Sequence, residues 1–388
     1  MKTLYLHIGM PRTATTVLQK FCSDNQEELN NNGYCYPLMP FQYPNARPWR
    51  TAHFMFGYVK DEKGIRDTEL ERQYWVEGFQ EVYNAFEKYD NVILSDEGLW
   101  NCGFRNKESV WFKLKKEMEA HAFRTKVIVY LRRQDDFLYS WWNQRIKEGL
   151  YRECTLSWEE MTEKLPIVHL DYFEMLNQIS EFVGKENLIV RRFGKEYFVG
   201  NAIYKDFIHA IGLQYTDAYQ VKTEVYNMGL TKNNAELKRI LNKLPDSDAQ
   251  SKLMFQNILV HNSNCKKDNR KYSMYSQSEA RELYEKYREG NRLIAEEYMG
   301  RNGDLFSFEY DAEQKWSPQN AEMLEDIILF MGTSLMQMER EIRRQEQEIK
   351  AQKKEMENFK KKLVHPVRTI RNKVKNKLKL TKNLKTDR

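Results

Sequence analysis

The sequence predicts an α/β fold in which a parallel sheet is flanked by helices, followed by a long C-terminal helix. Over residues 1–310, short segments rich in β-branched residues alternate with longer amphipathic segments, which is the pattern of strand, helix, strand units. After Ser317-Pro318 the alternation stops and a sevenfold repeat of apolar residues begins. With 388 residues, 41% of them hydrophobic, the chain can bury a sizeable core.

The predicted elements follow from these patterns. The strands are residues 3–8, 91–95, 126–131 and 187–190, and the helices are 15–31, 69–89, 110–122, 137–147, 172–183 and 204–211. Residues 224–303 are polar and helical in pattern, and no strand is predicted there. We therefore expect a domain over 1–312 with 224–303 as a helical lobe, a coiled-coil helix over 319–364 and a basic amphipathic tail over 365–388.

The C-terminal repeat predicts self-association. Apolar residues recur every seven positions, with a second row three residues later that two glutamines interrupt. These residues are Ile328, Leu335, Ile342, Ile349, Met356 and Leu363, then Met331, Met338 and Phe359, with Gln345 and Gln352 in the second row. A single amphipathic helix packed on its own domain is the alternative. Charged and amide residues crowd both flanks, so a coiled coil, and with it a homo-oligomer, is favoured.

The charge of the chain is concentrated in its tail. The formal charge is +6, but residues 360–388 contain twelve Lys or Arg and one acidic residue, so the rest of the chain carries about −5. Val367, Ile370, Val374 and Leu378 share one helical face among these cations. An anionic membrane surface and a solvated, disordered tail both fit this pattern. A nucleic-acid partner is disfavoured because no aromatic residue interleaves the charges.

The composition also argues against a membrane-spanning segment, a disulfide framework and a zinc site. No apolar stretch is long enough to span a bilayer, and no cleavage-site pattern follows the N-terminus, which predicts an unprocessed cytoplasmic protein. The five cysteines lie far apart without a C-x-x-C pair. A disulfide framework and a zinc site are therefore both disfavoured, and no metal is expected.

The N-terminal segment LYLHIGMPRTATTVLQKF, residues 4–21, predicts an anion-binding loop. A strand, then Gly9, a loop and a helix present backbone N–H groups and a positive dipole end to a phosphate, in a P-loop-type sheet. In the nucleoside-triphosphate motif G-x-x-x-x-G-K-[ST], counted from Gly9, Ala14 replaces the second Gly and Thr15 replaces Lys. A magnesium-dependent kinase with a degenerate loop is therefore a disfavoured alternative.

Two segments together resemble the sulfotransferases. Residues 11–16, PRTATT, resemble the 5′-phosphosulfate loop of that family, P-[KR]-[TS]-G-T-T, with Ala14 where the family has Gly. The segment KVIVYLRRQDDFLYSWWNQ, residues 126–144, carries Arg132 and Ser140 at the spacing of the family residues that bind the donor 3′-phosphate. An arginine fork and a hydroxyl suit a phosphate. The alternative for the double Arg is ion pairing with Asp135 and Asp136.

Other segments resemble the bacterial branch of the family, which includes enzymes acting on polysaccharides. They are NGYCYP over 32–37, VILSDEGLW over 92–100 and LIVRRFGKEYFVGNAIYKDFIHAIGL over 188–213. The R-K-G loop of animal cytosolic members is not visible. The resemblance covers residues 1–310 and implies nothing for the repeat or the tail.

The resemblance implies a donor, a reaction and a set of site residues. The donor would be 3′-phosphoadenosine 5′-phosphosulfate (PAPS), leaving 3′-phosphoadenosine 5′-phosphate (PAP), and the acceptor a hydroxyl or amine of a carbohydrate or glycolipid. Arg12 would stabilise the leaving phosphate, because a guanidinium remains charged. Its partners would be the amides and hydroxyls of the loop, in Thr13, Ala14, Thr15 and Thr16.

The general base stays open: Glu97 and His53 are the two named candidates, and Asp96 is among the further residues that stay open. Glu97 follows the strand over 91–95 and is expected at the rim of the loop, and its alternative role is to cap a helix. His53 has a suitable intrinsic pKa, but a histidine beside Phe54 and Phe56 is more often packed. The tail would hold such an enzyme peripherally on the inner face of the membrane. A non-catalytic membrane-associated coiled-coil scaffold is the remaining alternative.

Overall fold

The computed structural model describes most of the chain. The described residues are 1–41, 56, 59, 65–101, 109–150, 152–163, 169–221, 229–245, 247–266 and 271–383. They form two compact units, Met1–Ala321 and Glu322–Arg388.

The first unit is built on a five-stranded parallel sheet, which confirms the predicted α/β class. Its strands are β1 (Thr3–His7), β2 (Tyr34–Cys35), β3 (Asn91–Ser95), β4 (Arg124–Leu131) and β5 (Leu188–Arg192). Their order is β2-β3-β1-β4-β5, and all four neighbouring pairs are parallel. The chain leaves β1 toward one side of the sheet and later crosses to the other, so β1 lies at the topological switch point, where open α/β sheets bind ligands.

Helices flank this sheet and extend the unit. They are α1 (Thr15–Asp24), α2 (Gln26–Asn31), α3 (Thr68–Lys88), α4 (Val110–His121), α5 (Gln134–Glu148), α6 (Trp158–Glu163), α7 (Tyr172–Val183), α8 (Ile203–Ala210), α9 (Lys232–Leu241), α10 (Ala249–Cys265) and α11 (Gln277–Met299). Two-residue strands β6 (Tyr272–Ser273) and β7 (Gln314–Lys315) pair in parallel.

The central strands are buried on both faces, as helices on both sides of a parallel sheet require. Leu4 and Leu6 of β1 are fully buried, and so are residues 127–131 of β4. The helices supply the covering apolar stripes. In α7, Leu176 and Ile179 are fully buried, and the Asp171 carboxylate accepts the Glu174 N–H at 3.0 Å to cap the helix.

Several local features differ from the sequence prediction, among them β2 and the helix Trp158–Glu163, neither of which was predicted. The helix predicted over 15–31 is broken at Asn25, whose side chain accepts the Gln220 N–H at 2.6 Å and donates to the Gln220 carbonyl at 2.9 Å. These tertiary bonds hold Asn25 outside the helical region, which a local pattern does not reveal. The strand β6 lies where none was predicted, because two residues carry no periodicity.

The second unit contains one long helix, α12 (Met323–Asn383), of 61 residues, which continues through Pro366. No helix in the described part of the chain combines the length and the apolar composition that a bilayer span requires. Among the described cysteines, Cys22, Cys35, Cys154 and Cys265 are free thiols.

Candidate functional site

The loop between β1 and α1 lies at the carboxyl end of the central strand. The Ile8 N–H donates to the Ile128 carbonyl at 3.0 Å, and the Asp96 N–H donates to the His7 carbonyl at 2.9 Å. The segments that follow β3 and β4 are thereby fixed on either side of the loop. Residues that the sequence places after three different strands therefore share one rim.

The backbone of the loop is folded in an unusual conformation. Arg12 has φ 71° and Ala14 has φ 59° and ψ 29°, both left-handed, whereas Thr13 between them does not have a positive φ. Alternation of left-handed and right-handed residues is the backbone pattern of anion-binding nests, and the left-handed φ values of Arg12 and Ala14 fit that pattern. A left-handed conformation costs a non-glycine residue about 1–2 kcal/mol. Retained strain of this kind is typical of functional sites.

Gly9 allows the loop to close on the start of α1. A Cβ at this position would lie 2.4 Å from the Thr15 Oγ1 atom, so a side chain cannot be accommodated without moving Thr15. Thr15 is buried, and its hydroxyl has no hydrogen-bond partner among the described residues. The Thr13 hydroxyl donates to the Met10 carbonyl at 2.6 Å and stabilises the turn.

The side chain of Arg12 joins the loop to α5. Its Nε donates to the Ser140 Oγ at 2.9 Å, and its Nη1 donates to the Gln144 Oε1 at 2.9 Å. Arg132, at the end of β4, donates from Nη1 to the Arg12 carbonyl at 3.4 Å and lies over the Phe193 ring. Three predicted site residues, Arg12, Arg132 and Ser140, are therefore neighbours, although 128 residues separate the first from the last.

The double arginine after β4 has two separate roles. Arg133 forms the ion pair that the sequence offered as an alternative, since its Nε and Nη2 donate to the Asp135 carboxylate at 2.7 and 2.8 Å. Arg132 contacts the loop backbone, and while burial raises the pKa of Asp136, the positive charge of Arg132 opposes that rise. The ion-pair alternative thus accounts for Arg133.

Sequence reasoning missed two residues of this cluster, Gln144 and Lys147. They follow Ser140 at positions i+4 and i+7, so all three share one face of α5. Lys147 is 5% exposed, and its pKa is lowered to about 8, first by burial and then by the positive charge of Arg12. The i, i+4, i+7 spacing is the signal that could have found them.

The predicted bases are placed only in part. Glu97 begins a short 3₁₀ helix, Glu97–Asn101, directly after β3, so its backbone lies at the rim of the loop, and its side chain falls outside the described structure. His53 also lies outside the described residues. Asp96 is buried and accepts the Gly98 N–H at 2.8 Å.

His7 is a buried titratable group below the loop. Its Nδ1 lies 2.8 Å from the Ser95 Oγ, and burial lowers its pKa to about 3. Since the imidazole stays neutral through the physiological range, His7 fits a packing role in the sheet better than a proton-transfer role.

Within the described part of the chain, no group of three or more His, Cys, Asp or Glu side chains lies close enough together to hold a metal ion. A cavity of about 380 Å³ is lined by Leu138, Trp158, Leu170, Tyr275 and Tyr287 among others. None of the predicted site residues whose side chains the structure describes lines it.

Comparisons with known proteins give limited matches. No model of a protein family matches the chain. An uncharacterized protein of Archaeoglobus fulgidus is 26% identical over 226 residues, which is 57% of this chain and 57% of that protein. The match therefore spans little more than half of the relative's length. A crystal structure of a sulfotransferase from Alicyclobacillus acidocaldarius aligns with 67% of this chain and 96% of its own, at 12% identity and a TM-score of 0.33.

Proposed function

We propose that the chain is a sulfotransferase that moves a sulfuryl group from PAPS to a hydroxyl or amine of a carbohydrate or glycolipid acceptor. The observation that carries this proposal is the hydrogen bond from Arg12 to Ser140, with Arg132 bonded to the same loop. The three residues come from the two segments that resemble the family's donor-binding motifs, and they meet at one place.

The chemistry of the cluster suits a donor that carries two phosphates. Two guanidinium groups and the backbone amides of the loop lie at the carboxyl end of β1, and anions bind such groups. Arg12 and Ser140 share a hydrogen bond, so the residue expected at the 5′-phosphate and a residue expected at the 3′-phosphate are neighbours in one cluster. Lys147 adds a further cation within the electrostatic range of Arg12.

In the proposed reaction, the acceptor oxygen or nitrogen forms a bond to sulfur while the bond from sulfur to the 5′-phosphate oxygen breaks. The acceptor proton passes to a base, for which Glu97 is the first candidate and His53 the second. PAP leaves with the electron pair of the broken bond, and Arg12 stabilises the negative charge that develops there. Arg12 cannot supply a proton, because its guanidinium stays protonated in proteins.

The loop also argues against the kinase alternative. Thr15 occupies the position of the kinase lysine, and its hydroxyl is buried against Gly9. A nucleoside-triphosphate site needs a cation at that position and a hydroxyl that binds the metal ion.

The proposal also includes three predictions made from the sequence: the acceptor class, the peripheral membrane location and the role of the basic tail.

A turnover assay tests the proposal. Incubation with PAPS and a mixture of oligosaccharide and glycolipid acceptors should release PAP and form a sulfated product, detected by mass spectrometry. Glu97→Gln should abolish turnover and leave PAP binding unchanged, because the donor cluster is intact. Retained turnover in Glu97→Gln with loss in His53→Ala would assign the base to His53.

Two outcomes would overturn the proposal. Conversion of ATP to ADP in the presence of Mg²⁺, without PAP release from PAPS, would favour the kinase. Absence of binding to both nucleotides would favour the non-catalytic scaffold.

A further inference from the structure

The helix α12 carries a long exposed apolar seam. Within the described side chains, the apolar residues of both rows are half to two thirds exposed, although such side chains are normally buried. In the first row, Ile328, Leu335, Ile342, Ile349 and Met356 are 60, 64, 54, 50 and 58% exposed, and in the second Met331, Met338 and Phe359 are 57, 51 and 61% exposed. The seam extends over about 48 Å at 1.5 Å per residue. Apolar surface of this length and regularity marks an association site.

The repeat itself identifies what covers the seam. Apolar residues spaced alternately three and four positions apart insert as knobs into the holes of a second helix that has the same spacing. A second copy of α12 has that spacing because its sequence is identical. The helix has 61 residues, and a periodic pattern much longer than 25 residues is typical of a coiled coil. We propose that α12 pairs with the α12 of a second copy of this chain as a parallel, in-register, two-stranded coiled coil.

The parallel arrangement follows from Gln345 and Gln352, which occupy the second row where its other members are apolar. In a parallel, in-register pair each glutamine meets its own copy, so the two amides can donate to and accept from each other. In an antiparallel pair the second row faces the first row of the partner, which is apolar in every heptad. Both glutamines would then be buried without a hydrogen-bond partner. A single polar pair is known to fix register in this way.

Charges beside the seam agree with the parallel register. Glu348 would lie opposite Lys353 of the second copy, and Glu355 would lie opposite Lys360, and the two-fold axis doubles both ion pairs. All four side chains are exposed, and Glu348 also lies 3.9 Å from the Arg344 Nε in its own helix. Glu341 would face a like charge, but it already accepts a hydrogen bond from Arg344 in its own helix at 2.7 Å. The charged residues beside the seam therefore favour two paired α12 helices over two separate ones.

The oligomeric state of the full chain tests this pairing independently of the proposed enzymatic activity. Light scattering coupled to size exclusion, at micromolar concentration, should give twice the 46.7 kDa of one chain. Ile349→Lys should convert the dimer to a monomer, because it places a charge in the seam. Gln347→Lys is the matched control, since it adds the same charge to the outer face of the same helix and should leave the dimer intact.

The arrangement is tested by a disulfide. Met338→Cys under mild oxidation should give a dimer linked from residue 338 to residue 338, identified by peptide mapping under non-reducing conditions, because equivalent second-row residues face each other only in the parallel register. A monomeric wild type, a trimer or tetramer, a dimer that survives Ile349→Lys, or a dimer without the 338 to 338 link would each overturn the proposal. PAP binding measured on the same samples reports separately on the donor site.

Discussion

The charge of Lys147 offers a sharp test of the donor site, because it titrates near neutral pH. Its pKa is about 8 in the free protein, lowered by burial and by Arg12. A bound phosphate favours the protonated amine, so binding raises this pKa. Above pH 8 the free Lys147 amine is mostly neutral and must take up a proton when PAP binds. The affinity for PAP therefore falls as the pH rises through 8.

The magnitude follows from the titration. With a pKa of about 8, the protonated fraction falls from about nine tenths at pH 7 to about one tenth at pH 9. If the amine stays protonated in the complex over this range, the dissociation constant rises about tenfold, which corresponds to about 1.4 kcal/mol. The PAP phosphates are already ionised at pH 7 and contribute little to this change.

Calorimetric titration with PAP at pH 7 and pH 9 measures this effect. Lys147→Met should bind PAP more weakly at pH 7 and lose the tenfold pH dependence. Lys238→Met is the matched control, since Lys238 is fully buried with its pKa also lowered to about 8 by burial, and its amine bonds Asn242 rather than the loop. A tenfold pH dependence that survives in Lys147→Met, or is absent in the wild type, would refute the assigned role.

Three further outcomes are expected. Ala14→Gly should raise the free energy of unfolding, measured by urea denaturation, by about 0.5–1 kcal/mol, because the left-handed strain it removes exceeds the entropic cost of the glycine. Ala122→Gly, at φ 51°, should have the same effect, and a loss of stability in both variants would contradict the strain argument. Asp206→Asn should lower the free energy of unfolding by about 3 kcal/mol, because the buried carboxylate accepts hydrogen bonds from a tyrosine, an arginine and a backbone amide. Asp304→Asn, at a partly exposed ion pair, should lower it by less than about 1 kcal/mol, and equal losses in the two variants would contradict the role of the buried network. Deletion of residues 366–388 should abolish sedimentation with anionic vesicles, and undiminished sedimentation would reject the membrane role of the tail.

Four of the five strands of the sheet were predicted from the sequence, and the two-residue strand β2 was not. The segment 91–95 forms β3 with the predicted bounds, and 126–131 is extended by two residues at its start to form β4. Buried parallel strands are short apolar runs that a sequence shows directly. The break at Asn25 was not predictable, because its cause is a pair of bonds to Gln220, 195 residues away.

The candidate site was predictable where a motif carried it. Arg12, Arg132 and Ser140 were found from two segments, and the structure brings them together. Gln144 and Lys147 were missed because a polar residue on a helix looks like a solvated one until the helix is oriented against the loop. The left-handed φ of Ala14 was equally hidden, since alanine carries no signal for that conformation.

The central claim is that the loop cluster binds the PAPS donor through Arg132, and a thermal-shift titration with PAP tests it most directly. At about 100 times its dissociation constant, PAP should stabilise the wild type by about 2.7 kcal/mol, and Arg132→Ala should strongly reduce that stabilisation. Arg133→Ala is the matched control, because Arg133 pairs with Asp135 instead of the loop, and its shift should match the wild type. No shift in the wild type, or an undiminished shift in Arg132→Ala, would contradict the claim.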